Sequence, residues 1–193
     1  MPEDNVNPDP PAGDFGTNPR SIIETFLKNA RLAAATAETV ARNAEALNAA
    51  LERETAEYES VLLPSPDDLD VRLFATFARS SKVITAPDTA QLKTTGAGVT
   101  DAFCGVASTG SVCVSVSGNL TAPTGMLTRK HIVVLEGKSI VPRPRDVLSA
   151  EYLNGEGLRR SFSFITGPSA TADMGPLVRG VHGPGKLHII VLE

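Results

Sequence analysis

The sequence predicts an α/β domain: a mixed β-sheet covered by helices, with a long helical segment at its N-terminal side. Three observations carry this. From Arg20 to Leu63 the chain has neither Gly nor Pro, and its apolar residues recur at helical spacing. Beyond Ser111, runs of strand length alternate with Gly- and Pro-rich turns. The final run, "LHIIVLE" (187–193), is almost continuously apolar, the pattern of a strand buried on both faces of a helix-covered sheet.

Three segments follow in order. Residues 1–18, "MPEDNVNPDPPAGDFGTN", hold four prolines and only acidic charges, and cannot bury enough surface to offset ordering entropy. They are expected to be a disordered tail. Residues 19–63 form the helical segment, with Ile23, Phe26, Ala30, Ala33, Ala37, Val40, Ala44, Leu47 and Leu51 on one stripe. Ser21 and Glu24 have capping-box spacing, and Glu24–Lys28 and Glu38–Arg42 are i,i+4 pairs. The Ala-rich face either covers the domain or joins copies of the chain into a homo-oligomer.

Residues 64–193 hold the α/β domain. "DLDVRLFATFARSS" reads as a helix with Leu69, Leu73, Phe74 and Phe77 on one side, and "KVITA" as a short buried strand. "TTGAGVTDAFCGVASTG" is small and Gly-rich. It leads into "SVCVSVS", whose valines at 112, 114 and 116 alternate with small residues, the period of a strand. "HIVVLEG" (131–137) and "SFSFIT" (161–166) are further strands.

Composition excludes several classes of function. A net charge of −4, a pI near 5.4 and no Trp argue against nucleic-acid and anionic-membrane partners. No run is long enough to span a membrane and no signal peptide is evident, so the cytoplasm is the expected compartment. Cys104 and Cys113 form no C-x-x-C pair and read as small buried hydrophobes; no metal, cluster or other cofactor is expected on this chain. Gly96 and Gly98 fail the dinucleotide fingerprint because Asp occupies position 101, and neither a P-loop nor H-E-x-x-H occurs.

Two turns carry the candidate chemistry. Gly167-Pro168-Ser169-Ala170-Thr171 follows a strand and superficially matches a nucleophile elbow, but Thr171 replaces the closing Gly and Gly175-Pro176 disfavours the helix an elbow needs. The same turn suits an anion cradle of backbone N–H groups and hydroxyls, while Thr171 and Asp173 suit the cap of a short helix. In "GVHGPG" (180–185) glycines flank His182, a residue whose ordinary pKa suits acid–base work, with Asp173 as a partner. His188 lies within the last strand and reads as structural; His131 begins a strand and suggests no function.

Taken together, "ITGPSATAD", "LVRGVHGPGKLHIIVL" and the upstream "GVASTGSVCVS" resemble the LUD domain, specifically the lactate utilisation protein C family. The resemblance implies a fold like the NagB/ribose-5-phosphate isomerase/CoA-transferase group. It also implies a role in oxidising L-lactate to pyruvate beside iron–sulfur partner proteins. Thr109, Gly110, Gly167, Pro168, Ser169, Thr171, Asp173, His182, Gly183 and Pro184 match the family pattern. His182 and Asp173 are the catalytic candidates; Thr109, Gly110, Gly167, Ser169, Thr171 and Gly183 are the substrate-binding ones.

Three positions depart from that pattern: Ala170 stands where a basic residue is frequent, Gly175-Pro176 replaces an acidic segment and Ser111 replaces Thr. Alternatives stay open at this point. The chain is either a non-metal component of a lactate-oxidising system or a stand-alone enzyme or binding protein for a phosphorylated or carboxylated metabolite. A pure interaction module built on the Ala-rich helix is the third alternative.

Overall fold

The computed structural model describes residues 18–116, 120–148, 161–172 and 175–193. In chain order the first elements are α1 (Pro19–Leu32), β1 (Thr36–Val40), α2 (Ala44–Glu54), β2 (Val61–Leu62), β3 (Val83–Ile84), α3 (Thr89–Thr94) and β4 (Ala97–Ala102). Then come β5 (Cys104–Val106), β6 (Ser111–Ser115), α4 (Thr121–Leu127), β7 (Lys130–Glu136), β8 (Ile140–Val141) and α5 (Pro144–Val147). The chain closes with β9 (Phe162–Ile165), β10 (Ala170–Thr171), β11 (Val178–Arg179) and β12 (Lys186–Leu192).

The two most apolar runs become neighbouring strands of a six-stranded, all-parallel sheet ordered β1-β12-β7-β4-β2-β3. Period-two alternation sends their side chains to two cores. Val133, Leu135, Leu187, Ile189 and Val191 meet α1 (Ile23, Phe26, Ala30) and the valines of β6. Ile132, Val134, Ile190 and Leu192 meet α2 (Leu47, Ala50, Leu51) and Phe74 and Phe77. A second sheet, β8-β5-β6-β9, lies on the α1 side, with Cys104 directly opposite Cys113 in the antiparallel β5–β6 pair. The predicted α/β class therefore holds, with its strands divided between a parallel sheet and a smaller mixed one.

The N-terminal segment is not helical throughout: a strand separates α1 from α2. Residues 36–40, "TAETV", form β1, the edge strand that pairs in parallel with β12 from Thr36↔His188 to Val40↔Leu192. Alanine spacing resembled one continuous helix because Ala is the strongest helix former and fits an apolar stripe. Three β-branched residues and an unfilled edge of β12 decide for the strand, since tertiary pairing overrides propensity. Ala34 makes the break, with φ +66°. The helix itself begins before Ser21, with Asn18 as N-cap accepting from the Arg20 N–H and Pro19 at its first position.

Two consequences follow for the predicted segments. Residues 19–63 share both cores with residues 64–193, because α1 and β1 enter one core and α2 the other. The Ala-rich face is split, and Ile23, Phe26 and Ala30 are buried in the domain itself. Asn18 is the one residue of the expected disordered tail that is described; the other seventeen lie outside the described residues.

The stretch "DLDVRLFATFARSS" is not one helix either. It forms two 3₁₀ turns, Val71–Phe74 and Phe77–Arg79, docked on the core through Leu73, Phe74 and Phe77. Asp101 fixes the loop before them: its carboxylate accepts from the backbone N–H groups of Asp67, Asp68 and Leu69 at 3.2, 2.6 and 2.8 Å. No helix among the described residues is long and apolar enough to cross a membrane.

Candidate functional site

The last turn of α1 positions both candidate loops. Gly110 has φ +65°, and a Cβ there would lie 2.1 Å from the Ala30 nitrogen. Gly167 has φ +69°, and a Cβ there would lie 2.0 Å from the Ala33 carbonyl oxygen. Only glycine combines that backbone conformation with that approach. Asn29 adds a side-chain bond, its Nδ2 donating to the Ala107 carbonyl at 2.7 Å. The two loops then join through hydroxyls: Thr109 Oγ1 and Ser111 Oγ are 2.6 Å apart, and Ser111 Oγ and Thr166 Oγ1 are 2.7 Å apart.

Beyond Gly167 the Ser169 backbone clamps the C-terminal loop. Its N–H donates to the Pro184 carbonyl at 2.8 Å, and its carbonyl accepts from the Gly180 N–H at 2.9 Å. The intervening chain forms the β10–β11 hairpin, pairing Ala170 with Arg179 and Thr171 with Val178. Among the described residues no helix follows Ser169; it leads into the β10–β11 hairpin instead. The elbow requires a strand-to-helix turn.

This clamp encloses a cavity of about 390 Å³. One wall is α4, through Thr121, Ala122, Gly125 and Met126; the opposite wall is β9 and its exit, Ser163 to Ser169. His182, Gly183 and Pro184 form the mouth, and His131 and Leu187 of the central sheet form the floor. Both floor residues belong to the first two positions of parallel strands, so the cavity opens near their amino ends. An open groove of about 1080 Å³ adjoins it, sharing Met126, His182 and Gly183 and bordered by Arg129, Arg179 and Lys186. Lys186 pairs with Glu57 at 3.0 Å; Arg129 and Arg179 have no ion pair among the described residues.

Of the predicted site residues, Gly167, Ser169, His182 and Gly183 come together around the cavity, with Pro168 and Pro184. Thr109 and Gly110 do not line it; they brace it from behind, against α1 and through Ser111. Thr171 lies in the hairpin, outside the lining. Asp173 lies outside the described residues. Among the described residues no Lys, Arg, Asp or Glu lines the cavity, so its walls offer hydroxyls, backbone and two imidazoles.

One of those imidazoles carried no functional reading in the sequence. His131 is 1% exposed, with Nε2 2.8 Å from the Thr100 hydroxyl. Burial alone lowers its pKa to about 4, so the ring is neutral at neutral pH. The available signal was a histidine heading a run that is otherwise apolar on both faces.

His188 has a different setting, across the sheet. Its Nδ1 lies 2.7 Å from Thr36 Oγ1 and its Nε2 3.1 Å from Glu38 Oε1. Burial depresses its pKa, against the pull of Glu54 and Glu38. Glu54 accepts from Lys130 Nζ at 2.8 Å, and Arg53 pairs with Glu38. Burial opposes ionisation of Glu54, but Lys130 and His188 outweigh it and hold the carboxyl below its ordinary value. Single ligand atoms of Glu38, Glu54 and His188 lie within 4.8 Å of one another. With Lys130 and Arg53 already on those carboxylates, the cluster reads as a charge network that joins α2 to the sheet.

The family model of the LUD domain matches residues 23–192. Lactate utilization protein C of Bacillus subtilis (strain 168) is 32% identical over 100 residues, 50% of this chain and 42% of that protein. The protein of the same name from Halalkalibacterium halodurans is 33% identical over 100 residues, 50% of this chain and 44% of that one. The matched stretch thus spans less than half the length of either relative. A crystal structure of a DUF162 family protein from Deinococcus radiodurans shares the fold, with a TM-score of 0.69 and 20% identity over 92% of this chain and 100% of that one.

Proposed function

We propose a lactate-utilisation role for this chain, which belongs to the LUD domain family. The observation that carries the proposal is the likeness to proteins named lactate utilization protein C over half of the chain. In this reading the chain is a non-metal component, acting in the cytoplasm with iron–sulfur partner proteins. Oxidation of L-lactate to pyruvate releases two electrons and two protons, and the partners take the electrons. The chain's two cysteines support that division, because a cluster is held by about four thiolates.

The cavity is where the small acid binds. His182 at its mouth, with Asp173, is the acid–base pair of the proposal; Ser169 and Gly183 shape the entrance. Deleting the gene from a host with no redundant pathway should abolish growth on L-lactate while growth on pyruvate persists. Normal growth on lactate would overturn the reading. Affinity purification of the full chain from lactate-grown cells should bring down iron–sulfur proteins.

A second reading is favoured by one feature, the arginine-bordered groove beside the cavity. It suits a stand-alone enzyme or binding protein for a phosphorylated or carboxylated metabolite larger than lactate. His182→Ala and Asp173→Asn should then abolish turnover of that metabolite by the isolated chain; wild-type rates in both would count against it.

A further inference from the structure

The cavity has room for a ligand larger and less polar than lactate. At about 390 Å³ it falls within the roughly 300–1,000 Å³ of pockets that hold drug-sized ligands, and lactate would leave most of it empty. Much of its inner wall is aliphatic. Val114 and Ser163 lie directly opposite each other on β6 and β9, and the same face continues through Val116 and Ile165. Leu187 of β12 lies at the floor, and α4 closes the far side with Ala122, Gly125 and Met126. Space lined in this way favours hydrocarbon over water.

The distribution of charge sets the direction in which a ligand enters. Among the described residues no Lys, Arg, Asp or Glu lines the cavity, and burial keeps the His131 imidazole uncharged at neutral pH. An anionic group carried inside would be a buried charge with no cation to pair it. The cations stand outside, in the groove that meets the cavity at Met126, His182 and Gly183. Glu57 and Glu59 border that groove too, but Glu57 is held by Lys186, and Arg129 and Arg179 are left for a ligand. At the junction Met126 is 63% exposed, an unbranched and adaptable side chain placed to cover a chain that passes from one compartment to the other.

We infer that the cavity takes the hydrocarbon tail of a medium-chain carboxylic acid, with the carboxylate in the groove beside Arg129 and Arg179. This assignment rests on the second reading above and gives its carboxylated metabolite an acyl tail. It needs no iron–sulfur partner.

The test is isothermal titration calorimetry of the full chain with straight-chain carboxylates from butyrate to dodecanoate. Affinity should rise about fourfold per methylene until the tail outgrows the cavity, and then level off. Ser163 is exposed, so Ser163→Leu should keep the wild-type unfolding midpoint. It should move the break to shorter chains and weaken octanoate about tenfold. Octanamide should bind up to about fivefold more weakly than octanoate. Arg129→Gln combined with Arg179→Gln should erase that difference and leave the chain-length slope intact.

An affinity flat across the series would overturn the assignment. So would one that climbs without a break through dodecanoate and ignores Ser163→Leu, the behaviour of tails spreading on exposed surface. Lactate binding as tightly as octanoate would overturn it in favour of the first reading. Ribose 5-phosphate binding where no acyl acid binds would overturn it and leave the second reading standing; binding of neither would overturn both.

Discussion

His131 and His188 lie on adjacent strands of one sheet, a single residue apart in register, and face opposite sides. Both are buried, and burial pushes both pKa values down. Their surroundings differ in kind. His188 has a partner on each ring nitrogen and sits among Glu38, Glu54, Lys130 and Arg53, charges that tie α2 to the sheet. His131 has one hydroxyl partner, on Nε2, and no charged neighbour lining its cavity among the described residues. A buried polar group whose partners are all supplied by the fold is structural.

The two faces are also held together differently, and this can be broken experimentally. The cavity face depends on close backbone approach to α1. Gly110→Ala places a Cβ 2.1 Å from the Ala30 nitrogen at φ +65°, and should cost about 3 kcal/mol in urea unfolding, with little dependence on salt. A loss under about 1 kcal/mol would show that α1 does not clamp this loop.

The opposite face adds charge to its apolar packing. Lys130→Met removes the ammonium bonded to the Glu54 carboxylate and its backbone carbonyl, and should cost about 2 kcal/mol. Glu54→Gln in that background should recover part of the loss; no recovery would mean that packing, not charge, joins α2 to the sheet.

Acid separates the histidines. Unfolded His131 takes up a proton near pH 6.5 but the native residue only near about 4. Its contribution is complete above the higher value and is lost as pH falls, at up to about 1.4 kcal/mol per pH unit between the two. His131→Gln should flatten the stability profile across that window. His188→Gln should flatten it less, because neighbouring carboxylates oppose the burial effect. Equal slopes from both variants would erase the contrast. The smallest effect expected is from Ser111→Ala, which interrupts the Thr109–Ser111–Thr166 hydroxyl chain and should cost about 1 kcal/mol in thermal or urea unfolding.

Much of the sheet was legible in the sequence. "HIVVLEG" was readable as a strand and "LHIIVLE" as a doubly buried one, and they sit side by side at the centre, because a continuous apolar run has no solvent face to offer. The Gly-rich turn after β9 and the His182 loop were legible as one site, and Gly167, Ser169, His182 and Gly183 do meet at the cavity. β1 was not legible: its alanines fit a helix stripe, and the partner that makes it a strand, β12, lies some 150 positions later. Small residues around Thr109 and Gly110 signalled the close approach of a backbone without saying whose; the group that closes on Gly110 is α1.

By itself, then, the sequence determined the α/β class, the central strands, the two motif blocks and the family they resemble. These rest on patterns local in the chain: periodicity, turn residues and motif spacing. Tertiary structure alone decided that residues 36–40 complete the sheet and that α1 braces both loops. It also decided that two histidines with the same intrinsic chemistry have different partners. That last distinction depends on which atoms lie within about 3 Å of each ring nitrogen, a distance set by residues far apart in sequence.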